Sequence, residues 1–492
     1  MKFLDNEQRA QIGFSFIMDE LGIITSYGTE EKKLIKPYKT NQTKELIEEL
    51  DNIDCMISHM NQYSDKFYDI VRLFHKIKDI RNTLKRTEKV ETLDEVELYE
   101  IKYVAMLLEE LKLMLEGIDL SIDKIKLHSL NEVIDILDPS GKRISTFYIY
   151  DEYSEKLSEI RGLKNQKEKE IYSCNDENLL EKLKQERLDI VIKEEEEELH
   201  IRKELTSKLS SFSKKISENL KVVGVLDLLM AKASVAIKHN CVKPTIVEEM
   251  DIKIVDGINP EVEAVLKKKG KTFSPVTIEL EGGTTVITGA NMGGKSVALK
   301  TIVLNLFLGQ MGFFTFAKEA TYPILDFVHF VSDDMQSISK GLSTFGAEII
   351  KLKEVVECVK RGNGFVALDE FARGTNPKEG YYLVKSLAHY LQRFSTSSII
   401  STHYDGVVEE PMVHYQVVGL KNIDFNKLKF KIDLNKKNSV EIIQENMEYK
   451  LEKVSKENKV PKDALNIAML LGLENDIINI AKTYYEEDNN GK

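Results

Sequence analysis

Proline and glycine are scarce in the first half of this chain. Of nine prolines only Pro37 and Pro139 fall within the first 243 residues, and nine of the 26 glycines lie in residues 1–280 against 17 in the remaining 212. So few breakers over so long a stretch exclude short strands joined by tight turns and favour long helices. Cysteine is also scarce. Cys55, Cys174, Cys241 and Cys358 are scattered, with no CxxC pair and no histidine cluster at ligand spacing, which excludes a disulfide scaffold and a zinc site. Long apolar runs are missing: the opening "MKFLDNEQRAQIGF" has no continuous hydrophobic segment, and "VVGVLDLLMAKASVAI" is broken by Asp227 and Lys232. No leader and no membrane span are therefore expected, and the reading is of a soluble, cytoplasmic protein. Excess positive charge is lacking as well. With 69 Lys and Arg against 81 Asp and Glu, the formal charge is -12, which removes any generic attraction for nucleic acid and leaves only a local basic groove open.

What is present has two grammars. The 492 residues suffice for roughly three domains. "TLDEVELYEIKYVAMLLEELKLML" opens with capping-box spacing from Thr92 to Glu95 and continues at helical period; "SLNEVIDIL" repeats the opening with Ser129 and Glu132. Residues 151–221 form a charged run punctuated by leucine, with 18 acidic and 15 basic side chains, a balance of -3. Two long antiparallel helices reversing at "SCNDEN" fit it, either as a solvated pair with no partner or as an arm poorly suited to neutralising phosphates. From about Asp251 short β-branched runs take over: "TTVITG", "GFVALDE", "SSIISTHY", "VHYQVVGL" and "KLKFKID". "KSVALKTIVLNLFLGQM" and "PKEGYYLVKSLAHYLQRF" alternate with them as helices, which argues an α/β sheet. The tail reads as two short helices joined at Leu471 to Glu474.

"GANMGGKS", Gly289 to Ser296, satisfies G-x-x-x-x-G-K-[ST] between a strand and a helix. Its physical meaning is a phosphate cradle. Backbone N–H groups of Gly289, Ala290, Asn291, Met292, Gly293, Gly294, Lys295, Ser296 and Val297 face one anion, Lys295 reaches the β- and γ-phosphates, and Ser296 is placed to ligate Mg²⁺. The buried strand "GFVALDE" ends in two carboxylates. Asp369 is the expected metal ligand beside Ser296, and Glu370 the residue that orients or deprotonates the attacking water. In "SISKGLSTFGAEI", Ser343 and Thr344 precede a helix with Glu348 in its expected first turn, as an ordinary N-cap, as a γ-phosphate contact, or as both. His403 in "SSIISTHY" is a structural histidine or a reporter of hydrolysis.

These elements, in this order, resemble the ATPase domain of the MutS family, whose P-loop reads TGPNMGGKS where this chain has "TGANMGGKS". The resemblance runs through "GLSTFGAEI", "LDEFARGTNPKEG", "STHY" and the C-terminal "MEYKLEKV…ALNIAMLLGLENDIINIAKTYY", and the LSGGQ of transporter-type ATPases is absent. It implies a MutS/ABC-like α/β P-loop NTPase domain that uses ATP and Mg²⁺, preceded by an all-α core and lever region with an antiparallel helical arm. It also implies a dimer in which each subunit completes the other's site. The implied divisions are 1–150 core and lever, 151–222 clamp-like arm, 223–250 returning lever helix, 251–440 ATPase domain, and 441–492 closing strand with helical dimerisation segment. Phe273 in "KTFSPVTIEL" becomes the candidate ring over the adenine, or plain core.

By that resemblance the chain is expected to begin almost directly in helical core, without the mismatch-reading domain and its Phe-x-Glu motif, and to end after the dimerisation helices without a nuclease-like module. A closer likeness, resting on "LDPSGKRISTFYIYDEYSEKL" and the opening residues, is to the MutS-like ATPase subunits of lysine 5,6-aminomutase reactivases. That likeness implies a second reactivase subunit as partner and an adenosylcobalamin-dependent aminomutase as client. Three functions are weighed: an ATP-driven protein-remodelling factor of this kind, a DNA-acting MutS paralogue in repair or recombination, and a coiled-coil chromosome-type ATPase. The acidic balance counts against DNA; the short arm and missing LSGGQ count against the third.

Overall fold

A computed structural model describes residues 3–289, 294–332, 344–420, 428, 442–443, 447–454 and 463–490. The chain forms two compact units, one made of Gly22–Ile35 and Asn52–Ala233, the other of Met1–Leu21, Lys36–Asp51 and Ser234–Lys492. The first half supplies helices α1 (Asn6–Gln11), α2 (Phe14–Glu20), α3 (Ser26–Leu34), α4 (Thr43–Gln62), α5 (Ser64–Phe74), α6 (Arg81–Glu88), α7 (Glu95–Glu116), α8 (Asn131–Leu137), α9 (Glu155–Ser173), α10 (Glu177–Ser210) and α11 (Ser213–His239). No helix among the described residues is long and apolar enough to cross a membrane.

In the helical unit, α7 buries Leu98, Ile101, Val104, Ala105, Leu108 and Leu111 at helical period. Its start lies two residues beyond the expected one. Asp94 is the cap, accepting from the Glu97 N–H while Glu97 accepts from the Asp94 N–H. The Thr92 carbonyl is already taken by Arg86, and the Leu93 N–H by the Thr206 hydroxyl. The expected Ser129 cap is made only in part: its hydroxyl accepts from the Asn131 N–H at a long 3.4 Å while donating to Glu109 on α7 at 2.9 Å, and α8 itself begins at Asn131. Residues 138–154 hold little regular structure but are pinned to α7 by one buried cation. Lys102 Nζ donates to Asp138 (3.3 Å), the Thr146 carbonyl (3.0 Å) and the Tyr150 hydroxyl (3.2 Å). A buried ammonium is tolerated there because all three of its donors are used.

Helices α9 and α10 pack against each other, reversing at Cys174–Asp176, where Asp176 caps α10 by accepting from the Asn178 and Leu179 N–H groups. Few apolar side chains lie buried between them, Leu157, Ile160 and Leu183 among them. Charge sets the register instead. Arg161 reaches Asp151, Glu194 and Glu198, Lys156 meets Glu197, Lys167 meets Glu186 and Arg187 meets Glu168. Pairs of this kind that stand in water contribute little one by one and are screened by ions, so the pairing is sensitive to salt.

The second unit contains two sheets built from strands β1 (Thr245–Val247), β2 (Asp251–Gly257), β3 (Val276–Glu281), β4 (Gly283–Thr288), β5 (Glu319–Pro323), β6 (Val328–Ser332), β7 (Phe365–Asp369), β8 (Ser397–Ser401), β9 (Val413–Gly419) and β10 (Glu448–Lys453). The larger sheet has the order β10-β9-β4-β8-β7-β6, parallel except for β10; the smaller is β1-β5-β2-β3. Strands β4, β6, β7 and β8 are buried at every residue, as parallel strands covered on both faces must be. Helix α13 (Lys295–Gln310) is buried almost all round and touches β7 and β8 of the large sheet and β2 and β3 of the small one. Helices α14 (Thr344–Val359) and α15 (Pro377–Leu391) share a second core with the large sheet, through Val355, Val384 and Leu391 against Val286, Leu368 and Ile400. Helix α12 (Pro260–Lys268) and the closing pair α16 (Asp463–Leu470) and α17 (Asn475–Asn490) complete the described unit.

The N-terminal α1 belongs to this sheet unit, covering its open edge. Gln8 donates its amide to the carbonyl of Phe330 on β6 at 2.5 Å, and Asp5 meets Lys351 of α14 at 3.4 Å. An uncovered edge strand is a pairing hazard. The expected strand "KLKFKID", apart from Leu428, lies outside the described residues.

Candidate active site

Five parallel strands place their carboxyl ends along one rim, the position where open α/β sheets gather ligands. β4 delivers Gly289, whose φ of +141° suits glycine, and an added Cβ would stand 3.1 Å from Val417. Residues 290–293 are outside the described set, so Ala290, Asn291, Met292 and Gly293 carry no structural statement. The chain re-enters at Gly294, with φ of +83°, and α13 begins at Lys295.

Lys295 is only 3% exposed. Its Nζ donates to the Gly289 carbonyl at 2.7 Å and stands 3.3 Å from Glu370. Burial lowers its pKa, and Glu370 opposes the shift. Ser296 donates its hydroxyl to Asp369 at 3.1 Å, and Ser401, at the end of β8, donates to the same oxygen at 2.6 Å. Burial pushes the Asp369 carboxyl up, and the two hydroxyls pull it back. A buried carboxylate beside a serine hydroxyl is the donor set that suits Mg²⁺.

Glu370 follows β7 in a left-handed conformation with φ of +50°, which costs a non-glycine residue about 1–2 kcal/mol. Its N–H donates to Ser401 Oγ at 3.1 Å, and its carboxylate receives Arg373 at 2.6 Å as well as facing Lys295. His403 follows β8, exposed to solvent, with its ring 4.3 Å from that of Tyr404. Burial lowers the pKa of His403, and Glu370 works against that. Lys295, Ser296, Asp369 and Glu370 thus converge directly, and His403 lies within electrostatic reach.

Val297 lies half-buried in the first turn of α13 and Phe273 half-buried ahead of β3. Ser343 is outside the described residues, and Thr344 opens α14. Glu348 corrects an expectation. It lies beyond the first turn and is buried, accepting from the Ala372 N–H at 3.0 Å.

Three residues escaped the sequence reading. Ser401 holds both Asp369 and Glu370, visible only once β7 and β8 pair Asp369 opposite Ser401. Arg373 is recognisable as a cation three residues after Glu370. Tyr449 on β10 lies with its ring 3.0 Å from where a Cβ on Gly294 would be; it was quoted in "MEYKLEKV" only as part of a strand.

Residues 285–487 match MutS domain V. Among similar proteins, an Endonuclease MutS2 of Acetivibrio thermocellus is 32% identical over 219 residues, covering 44% of this chain and 27% of that protein. A DNA mismatch repair protein MutS of Alkaliphilus metalliredigens is 29% identical over 229 residues, covering 46% and 25%. A DNA mismatch repair protein Msh3 of Dictyostelium discoideum is 27% identical over 471 residues, covering 92% of this chain and 29% of that protein. The chain therefore spans under a third of the length of each of these relatives. The match to MutS domain V lies wholly within the sheet unit. The matches lend no support to the reactivase likeness, and the DNA-repair alternative fits them better.

Proposed function

We propose that the chain is a magnesium-dependent ATPase of MutS type that couples its nucleotide cycle to a macromolecular client. The observation that carries this is the suspended charge at the head of α13: Lys295 Nζ lies between the Gly289 carbonyl and Glu370, one residue before a serine bonded to buried Asp369. An entering triphosphate exchanges those contacts of Lys295 for its own β- and γ-oxygens, with the N-terminus of α13 adding its positive end. Ser296 and Asp369 are the pair to hold magnesium, which supplies neutralisation of phosphate charge. Glu370, released by Lys295 but still held by Arg373, orients the attacking water, and His403 senses the γ-phosphate beside it. Tyr449 and Phe273 are assigned to the base, and Ser343 with Thr344 to a γ-phosphate across a dimer.

Two of the relatives described above are named for DNA mismatch repair and the third as an endonuclease, so DNA is the favoured client, in repair or recombination. A protein client, such as an adenosylcobalamin-dependent aminomutase handled together with a second reactivase subunit, is the second reading. Charge favours it: the formal balance is -12, and Lys156, Arg161, Lys164, Lys167 and Arg187 of the α9–α10 pair are already committed to neighbouring carboxylates. Equilibrium dialysis with the full chain tests the core claim. Mg-ATP should bind, Lys295→Ala should abolish binding, and Glu370→Gln should bind but turn over roughly 100-fold more slowly. Absence of magnesium-dependent uptake by the unaltered protein overturns the reading. Stimulation of turnover by branched DNA at low salt supports the first client; stimulation by an aminomutase with its partner subunit supports the second.

A further inference from the structure

We infer that Glu348 is a positioning residue for Glu370, acting through the main chain at Ala372. This rests on the ATPase reading above and adds to it a link between α14 and the hydrolytic carboxylate. Glu348 is 4% exposed, and its Oε2 accepts from the Ala372 N–H at 3.0 Å across 24 positions of sequence. A carboxylate withdrawn from water is costly to bury unless it is bonded, and bonded to a backbone donor it makes a charge-assisted contact stronger than an ordinary one.

The segment it grips is held against its own preference. Ala372 has φ of +62° and Glu370 φ of +50°, a region that L-residues other than glycine leave unless the surroundings fix them there. The Arg373 N–H donates to the Glu370 carbonyl at 3.2 Å, closing a turn over residues 370–373 with Ala372 at its third position, where glycine is the unstrained choice. The turn is tied down at two ends. Ser401 Oγ accepts from the Glu370 N–H at 3.1 Å, and Glu348 accepts from Ala372. The Tyr404 hydroxyl aims at the Ala372 carbonyl from 3.5 Å, a much weaker hold. Removing Glu348 therefore frees the Ala372 peptide to relax toward negative φ, which carries Arg373 and the Glu370 carboxylate with it. The same bond means that a displacement of α14 is delivered to Glu370 within two residues.

A misplacement of about 1 Å at a reacting group lowers turnover by as much as 100-fold while leaving binding alone. In the full-length protein, Glu348→Ala should keep its affinity for Mg-ATP within about twofold while kcat falls on the order of 10- to 100-fold. Glu348→Gln retains an acceptor oxygen and should recover most of the rate. Adding Ala372→Gly to Glu348→Ala should recover part of it, because glycine adopts this φ without strain. Hydrogen exchange of the peptide spanning residues 370–376 gives a readout independent of turnover: protected in the unaltered protein and in Glu348→Gln, exchanging faster in Glu348→Ala. The inference is overturned if Glu348→Ala leaves both kcat and exchange unchanged, or if Gln and Ala variants fall together in kcat and melting temperature. An unaltered protein that binds no ATP sinks the ATPase reading instead, and the exchange measurement then still decides on the contact.

Discussion

His329 should remain neutral at pH values where an ordinary histidine carries a proton. It is the second residue of β6, 6% exposed, and its Nε2 is buried with no hydrogen-bond partner. Burial brings its pKa down from 6.5 to about 4, with Lys351 pushing the same way and Asp5 opposing. The unfolded chain therefore takes up a proton as pH falls through about 6.5, while the native state refuses it until about 4. The sign follows: the native state holds its full stability above pH 6.5 and loses it progressively down to pH 4. The gap of about 2.5 pH units, at about 1.36 kcal/mol each, comes to roughly 3 kcal/mol. His329→Leu, similar in volume and without the ring nitrogens, should abolish this component. Its melting temperature relative to the unaltered protein should rise steadily from pH 6.5 to 4.5, carboxylates elsewhere cancelling in the comparison. Imidazole resonances assigned by the same substitution should titrate near pH 4. A midpoint of 6 to 7, or a stability difference constant with pH, refutes the reasoning.

Two further outcomes are expected. The Tyr322 hydroxyl is wholly buried, has no hydrogen-bond partner, and lies where a side chain on Gly309 of α13 would have to go. Tyr322→Phe should raise stability by about 1 kcal/mol, since it removes an uncompensated polar group, whereas Gly309→Ala should lower it by about 2 kcal/mol or more through overpacking. Thermal unfolding of both and of the double variant checks this, and simple additivity would argue against the contact. Tyr449→Ala should weaken ATP binding about tenfold if the ring faces the base, stacking being worth roughly 1–3 kcal/mol. Tyr449→Phe should bind as the unaltered protein does, as measured by titration calorimetry.

What could be read in the sequence was whatever needed only local information. Apolar runs ending in a glycine turn or in paired acids marked β4 and β7, and the helices that follow the P-loop and the "RGTNP" turn came from period and capping alone. Where two local solutions overlapped, the choice was made elsewhere in the chain. "TLDEVE" contains two capping boxes two residues apart. Arg86 occupies the Thr92 carbonyl and Thr206 the Leu93 N–H, so the box from Asp94 to Glu97 is the one formed. The serine of "SLNEV" divides its hydroxyl between the Asn131 N–H and Glu109, twenty positions back, with the shorter bond to Glu109. Nothing in either stretch announces those partners.

The same distinction runs through the candidate site. Lys295, Ser296, Asp369 and Glu370 sit at strand ends and at the first residues of a helix, positions that short-range pattern can assign. Their supports depend on register and close approach. Ser401 matters because β7 pairs with β8 so that it falls opposite Asp369, and Tyr449 because β10 returns antiparallel along β9 beside Gly294. Glu348 illustrates the limit. A glutamate near a helix start carries the signature of a capping residue, yet this one spends its carboxylate on the strained Ala372 turn. Only the path of the turn over residues 370–373, which brings the Ala372 N–H to α14, distinguishes the two uses.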